Sequence, residues 1–77
     1  MRDLVVIVAR GLNLRKSPVI EDNIIGVLKQ GSHFYAESIR RIPPYTWASD
    51  KNGAWIVIAN GRNPYVKQIN GQPLPLG

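Results

Sequence analysis

The fold is decided by residues 47–61, which read Trp-Ala-Ser-Asp-Lys-Asn-Gly-Ala-Trp-Ile-Val-Ile-Ala-Asn-Gly. Two largely apolar runs flank Asn52-Gly53, the dipeptide most typical of a two-residue β-hairpin turn. The same signal recurs at Asn60-Gly61 and again at Asn70-Gly71. Turns this close together leave no room for helices of ordinary length, so the C-terminal half is predicted to be a tight antiparallel meander.

Towards the N-terminus, hydrophobic patterning predicts further strands. Residues 4–9 form a largely β-branched run that predicts a strand buried on both faces. Leu12–Arg15 alternates apolar and polar residues, Ile24–Leu28 is a third strand that ends before Gly31, and the alternating segment after Gly31 places Phe34 in the core. Residues 39–46 contain two adjacent prolines, which predict a loop or a sheet edge.

The chain has 77 residues, enough for one small domain. No stretch shows a sustained helical period, so an all-β fold is predicted: five to seven short antiparallel strands forming a small, partly open barrel over residues 1–69. The proline-rich residues 70–77 are expected to form an extended tail.

Composition excludes several classes of function. With no cysteine and a single histidine, His33, the chain lacks the residues for a disulfide or a zinc site, and no cofactor is expected. The carboxylates fall mostly in predicted loops and no base is paired with a nucleophile, so the chain is not expected to be an enzyme. No apolar run reaches the length of a membrane span or of a signal peptide's apolar region, which predicts synthesis in the cytoplasm.

Several short motifs carry a family resemblance. They are Leu12-Asn13-Leu14-Arg15 with Pro18, Ile24-Ile25-Gly26-Val27-Leu28 before Gly31, Gly53-Ala54-Trp55-Ile56-Val57, and Asn60-Gly61-Arg62 before Tyr65-Val66. In this order they resemble the bacterial SH3 (SH3b) family over roughly residues 5–67. Three features depart from the family pattern: the insert at residues 39–46 is long, Asn63-Pro64-Tyr65 replaces a Gly-Trp pair, and no hydrolase domain is expected before the module.

The resemblance implies an SH3-like barrel that binds bacterial cell-wall peptidoglycan or its peptide. Modules of this family commonly target bacterial or phage lytic enzymes, such as endolysins, to the wall. The expected partners are therefore peptidoglycan and a separate lysin catalytic subunit, with action at the wall after release from the cytoplasm.

Candidate ligand-binding residues are aromatic rings and polar groups predicted near one surface. Tyr45 and Trp47 beside Pro43-Pro44 would form an aromatic platform, whereas a ring packed on proline would instead be structural. Trp55 is predicted to lie in the core because a large ring dominates the packing of a small barrel. The full candidate set is Asn13, Arg15, Tyr35, Arg40, Arg41, Tyr45, Trp47, Arg62 and Tyr65.

The polar members of this set have ordinary structural explanations as well. Asn13 would bond a turn backbone, Arg15 would lie over an apolar surface with its guanidinium in water, and the other arginines would form a solvated face.

Two other functions fit the same sequence. The net charge of +5 and the sequence pI of about 10.1 favour a nucleic-acid-binding barrel in which arginines and aromatic rings contact phosphates and bases. Unpaired sheet edges and the proline-rich tail favour a protein-interaction module, such as a phage-encoded adaptor inside the host, which is expected to form homo-oligomers.

Overall fold

A computed structural model describes residues 2–69 and Leu74. Residues 2–69 form nine β-strands: β1 (Arg2–Val6), β2 (Leu12–Arg15), β3 (Ile24–Leu28), β4 (His33–Ala36), β5 (Ser38–Ile42), β6 (Tyr45–Ser49), β7 (Trp55–Asn60), β8 (Asn63–Pro64) and β9 (Val66–Gln68). The all-β prediction is confirmed. There are more strands than the predicted five to seven because the pairing is interrupted at Glu37, which separates β4 from β5, and because β8 is an additional strand of two residues.

The strands make two antiparallel sheets that do not close into a barrel within the described residues, in agreement with the partly open architecture. The smaller sheet has the order β4-β1-β9, and the larger has the order β3-β2-β7-β6-β5, with β8 paired to one end of β7. No helix in this part of the chain is long and apolar enough to cross a membrane.

The first strand differs from its prediction in both bounds and burial. It covers Arg2–Val6 because β4 pairs with it from Arg2 onwards, and the chain then turns where the Gly11 N–H donates to the Val8 carbonyl at 3.1 Å. Leu4 and Val6 are buried, but the alternate residue Val5 is only half-buried. The prediction of burial on both faces is therefore wrong, because only the face towards the larger sheet is fully covered.

Hairpins form at both predicted Asn-Gly turns in the described residues, but without the backbone of a two-residue turn centred on Asn-Gly, because Gly53 and Gly61 have a positive φ, of 81° and 59°, and Asn52 and Asn60 do not. β6 and β7 pair across the first of them, where the Asp50 carboxylate accepts hydrogen bonds from the Asn52 and Ala54 N–H groups at 2.9 and 3.0 Å. β7 and β8 pair from Ala59↔Pro64 to Asn60↔Asn63, so Gly61 and Arg62 form the turn between them. The third predicted turn, Asn70-Gly71, and most of the predicted tail lie outside the described residues; Leu74 packs against the core.

The insert at residues 39–46 was predicted to be a loop or a sheet edge. In the structure it is part of a hairpin at the edge of the larger sheet. β5 pairs with β6 from Ser38↔Ser49 to Ile42↔Tyr45. The Pro43-Pro44 pair, joined by a cis peptide bond, lies at the turn between these strands, where no ladder N–H is needed. The Pro44 carbonyl accepts a 2.7 Å hydrogen bond from the Gly61 N–H, which ties this hairpin tip to the next one.

The core lies between the inner faces of the two sheets. Its buried members are Leu4, Val6, Leu12, Phe34, Ala36, Ala48, Ile56, Ile58 and Val66. The prediction that Phe34 is a core residue is confirmed, at 4% exposure. Because side chains alternate along a strand, Val57 between Ile56 and Ile58 points to the opposite, outer face of the larger sheet. That outer face carries the candidate site.

Candidate functional site

A groove on the outer face of the larger sheet brings together four of the predicted site residues. Asn13 and Arg15 reach it from β2, Tyr45 from β6, and Tyr65 from the short link between β8 and β9. The groove has a volume of about 120 Å³. Its complete lining is Arg10, Leu12, Asn13, Arg15, Ile20, Tyr45, Val57 and Tyr65. We refer to this set as the tyrosine groove.

The two tyrosines are held in place by the backbone and by neighbouring rings. The Tyr65 N–H donates to the Ile58 carbonyl at 2.7 Å, and the Tyr65 carbonyl accepts from the Ile7 N–H at 3.0 Å. Tyr45 makes an edge contact with the Trp47 ring at a centroid separation of 6.4 Å. Both tyrosines are half-buried, so each presents part of its ring to solvent from a fixed backbone.

Arg10 supplies the accessible charge of the groove. Its guanidinium carbon lies 4.9 Å from the centre of the Tyr65 ring, within the range of a cation–π contact. Arg10 is exposed, so its N–H groups can still donate to an acidic ligand above the ring. Arg10 was not among the predicted site residues, although its place directly before the turn glycine Gly11 brings it to the start of β2.

Arg15 has a structural role that the sequence analysis did not foresee. It is only 8% exposed, and its guanidinium donates to the Glu21 carbonyl at 2.8 Å and to Asn23 Oδ1 at 3.1 Å. The expectation that its guanidinium lies in water is therefore wrong. These bonds cross the loop between β2 and β3 and hold it in place.

Asn23 also holds the β2–β3 loop in place. Its side-chain Nδ2 donates to the Ser17 carbonyl, the Ser17 hydroxyl and the Val19 carbonyl, at 3.2, 2.9 and 3.1 Å. Asn23 is itself only 8% exposed. The loop is thereby folded back so that Ile20 forms one wall of the tyrosine groove.

The predicted aromatic platform of Tyr45 and Trp47 does not form at the surface. Trp47 is 1% exposed and makes an edge contact with the Tyr45 ring, so of these two residues only Tyr45 is accessible to a ligand. Trp55, in contrast, was predicted to lie in the core and does not. It is half-buried on the outer face, with the Arg40 guanidinium carbon 5.8 Å from its ring centre, and the core position belongs to Ile56. Sequence alternation left this choice open, because both faces of β7 carry large apolar residues.

The remaining predicted site residues lie outside the tyrosine groove. Tyr35 on β4 is 53% exposed and stacks on His33, which in turn lies 2.8 Å from the Asp3 carboxylate. Tyr35 borders a second cavity of about 300 Å³ between the sheets. Arg41 and Arg62 are exposed, on β5 and in the β7–β8 turn respectively. Among the described residues, no group of three or more histidines and carboxylates could hold a metal ion.

Comparisons with known proteins add no assignment. No family model, no curated protein and no solved structure matches the chain. The resemblance to the SH3b family thus stays a prediction from its motifs, and the function is argued from the groove.

Proposed function

We propose that the chain is a binding module that attaches to bacterial cell-wall peptidoglycan through the tyrosine groove, and that it targets a separate lytic enzyme to the wall. The observation that carries this proposal is the groove itself, in which two partly exposed tyrosine rings stand beside one accessible guanidinium. The resemblance of residues 5–67 to SH3b modules supports the choice of peptidoglycan.

The chemistry of the lining suits a wall peptide better than a bulky apolar ligand. Tyr45 and Tyr65 offer ring faces for sugar or aliphatic groups, Asn13 can both donate and accept hydrogen bonds, and Arg10 can pair with a carboxylate. Peptidoglycan stem peptides combine short aliphatic side chains with free carboxylates. A volume of about 120 Å³ accommodates one such side chain rather than a large cofactor.

The test is co-sedimentation of the labelled chain with purified peptidoglycan that has been stripped of anionic polymers. The assay is run at low and high salt, and with single-stranded DNA as competitor. We expect binding that survives high salt, because ring contacts and short hydrogen bonds are screened less than phosphate contacts. Absence of pelleting, or pelleting abolished by both salt and DNA, would contradict the proposal.

Variants of three tyrosines assign the binding to the groove. Tyr45→Ala and Tyr65→Ala remove its two rings, and each is expected to weaken binding about tenfold or more, as loss of a central aromatic contact does. Tyr35→Ala is the matched control, because Tyr35 is exposed and lies outside the groove. Equal losses in all three variants would argue against the groove.

Nucleic acid is the second candidate ligand, favoured by the stack of Arg40 on Trp55. Together with the net charge of +5, this pair offers one stacking surface and one phosphate contact. The discriminating result is strong binding to single-stranded DNA that falls steeply with salt and is lost in Trp55→Ala. Tyr65→Ala should leave that binding unchanged.

A further inference from the structure

The outer edge of β3 is an apolar strand edge with no charge and no proline. β3 lies at one end of the larger sheet and pairs only with β2. Three of its five residues are exposed hydrophobics: Ile24 at 49%, Ile25 at 51% and Val27 at 61%. Edge strands normally carry a charge, a proline, a β-bulge or a very short ladder that discourages pairing with another chain. Of these features β3 has only a bulge, at Ile25.

Three of the other four strand edges in the described residues are protected by a charge, a proline or a very short ladder. β5, at the opposite end of the larger sheet, carries Arg40 and Arg41, and β8 is a two-residue strand that includes a proline. In the smaller sheet, β9 has three residues and carries Lys67. β4 lacks such a feature, but it exposes one large apolar side chain, Tyr35, where β3 exposes three. The contrast singles out β3.

A glycine lies at the centre of β3, next to a β-bulge at Ile25, which falls between the pairings of Gly26 with Leu14 and of Ile24 with Arg15. Gly26 does not adopt a left-handed backbone conformation, and a Cβ atom there would meet only the Leu14 side chain, at 3.8 Å or more, which is ordinary contact. An interior glycine often marks a bulge or a place where another backbone approaches closely, and at the free edge of β3 it leaves the middle of the strand without a side chain.

The charges that flank β3 identify the chain that would approach it. Glu21 and Asp22 precede the strand and Lys29 follows it, and all three are exposed. No ion pair within the described residues uses them. In an antiparallel pair of identical strands centred on Gly26, the beginning of one strand meets the end of the other. In this register Lys29 lies opposite Asn23 of the second copy, so the two carboxylates that precede Asn23 are one and two positions from it, at the same end of the pair.

We propose that β3 is a self-association edge, at which two copies of the chain pair antiparallel about a twofold axis through Gly26. The arrangement joins the two larger sheets into one continuous sheet and covers Ile25 and Val27 of both copies. It is self-complementary in charge, unlike a pairing of two β5 edges, which would place arginines against arginines. A twofold contact of this kind closes on itself, so the product is a dimer rather than a filament.

The mass in solution tests the proposal directly. Sedimentation equilibrium of the full chain should give twice the mass of one copy, which is 8.6 kDa, with dissociation on dilution. Val27→Lys places two ammonium groups in the contact and should give a monomer at every concentration. Ile69→Lys adds the same charge at a site of similar exposure away from β3, and it should remain a dimer.

Thermal melting shows whether Val27→Lys is folded. If that variant does not fold, Ile25→Lys, which is exposed to a similar degree, takes its place in the same experiment.

A charge exchange identifies the antiparallel β3 pairing specifically. Asp22 lies opposite Gln30 of the second copy, one position from its Lys29, so Asp22→Lys alone or Lys29→Glu alone brings like charges close together and should raise the dimer dissociation constant several-fold. The double variant restores opposite charges with the same net charge as the wild type, and it should restore the wild-type constant.

Three outcomes would overturn the proposal. The first is a wild-type chain that stays monomeric at the highest soluble concentration. The second is a mass that keeps growing with concentration, as expected if the β3 edge of one copy paired with the β5 edge of the next. The third is a folded Val27→Lys variant that still dimerises.

Discussion

At the scale of single residues, the neighbours Tyr45 and Trp47 separate ligand binding from stability. Trp47 is almost completely buried, so Trp47→Ala should lower the free energy of unfolding by about 3–5 kcal/mol, the range for a large aromatic residue removed from a core. Tyr45→Ala removes a half-buried ring and should cost clearly less. Urea denaturation of both variants measures the difference. Equal costs would show that Tyr45 is as much a packing residue as Trp47.

Asn23 gives a second prediction at this scale. Asn23→Ala leaves carbonyl groups in the β2–β3 loop without their side-chain donor and removes one acceptor of Arg15. Leaving a buried polar group unpaired costs about 1–3 kcal/mol, and the urea midpoint should fall accordingly. Since Ile20 lines the groove from this loop, peptidoglycan binding should weaken as well. A variant that keeps wild-type stability would show that the loop does not depend on these bonds.

At the residue scale, the burial of a side chain could be predicted where it follows from hydrophobicity. It could not be predicted where it depends on hydrogen-bond partners from another part of the chain. Phe34 could be assigned to the core from its alternation with Ala36. Arg15 could not be assigned, because its burial depends on the Glu21 carbonyl and on Asn23, and no local pattern shows that this loop folds back onto β2.

At the scale of elements, local turn chemistry was the dependable signal. The hairpins at Asn52-Gly53 and Asn60-Gly61 form where predicted, because the glycine of each pair adopts the positive φ that its turn needs. The bounds of β1 were less predictable, since they depend on where β4 pairs with it. Likewise, the hydrophobic pattern of β7 did not reveal which of its two apolar faces meets the smaller sheet.

Gly11 and Gly53 allow two costs of replacing a turn glycine by alanine to be separated: the cost of a positive φ and the cost of a steric clash. Gly11 and Gly53 both have a positive φ, of 77° and 81°. A Cβ atom at Gly11 would lie 2.5 Å from the Leu28 carbonyl oxygen, whereas one at Gly53 would meet nothing within 4 Å. Gly53→Ala should therefore cost only the left-handed penalty of about 1–2 kcal/mol, and Gly11→Ala should cost distinctly more. Equal urea midpoints would show that the β2–β3 hairpin shifts freely at Leu28.

At the scale of the whole molecule, a dimer joined at β3 would carry two tyrosine grooves on one rigid sheet. The groove and the β3 edge share no residue, so groove affinity and self-association can be changed separately. A bivalent module gains apparent affinity for a polymer by binding it at two sites, but it gains none for a single short ligand.

The prediction that joins the two proposals compares the wild type with Val27→Lys on two forms of the same ligand. On insoluble peptidoglycan the dimeric wild type should bind about 100-fold more tightly than the monomeric variant, at the lower end of the gain from bivalency. On a soluble fragment with one stem peptide, the two proteins should have equal dissociation constants. A loss on both ligands would mean that the substitution damages the groove, and equal binding on both would mean that the two grooves cannot reach one polymer together. Failure of the wild type to bind either ligand would reject the wall as target and leave the self-association proposal to the sedimentation data.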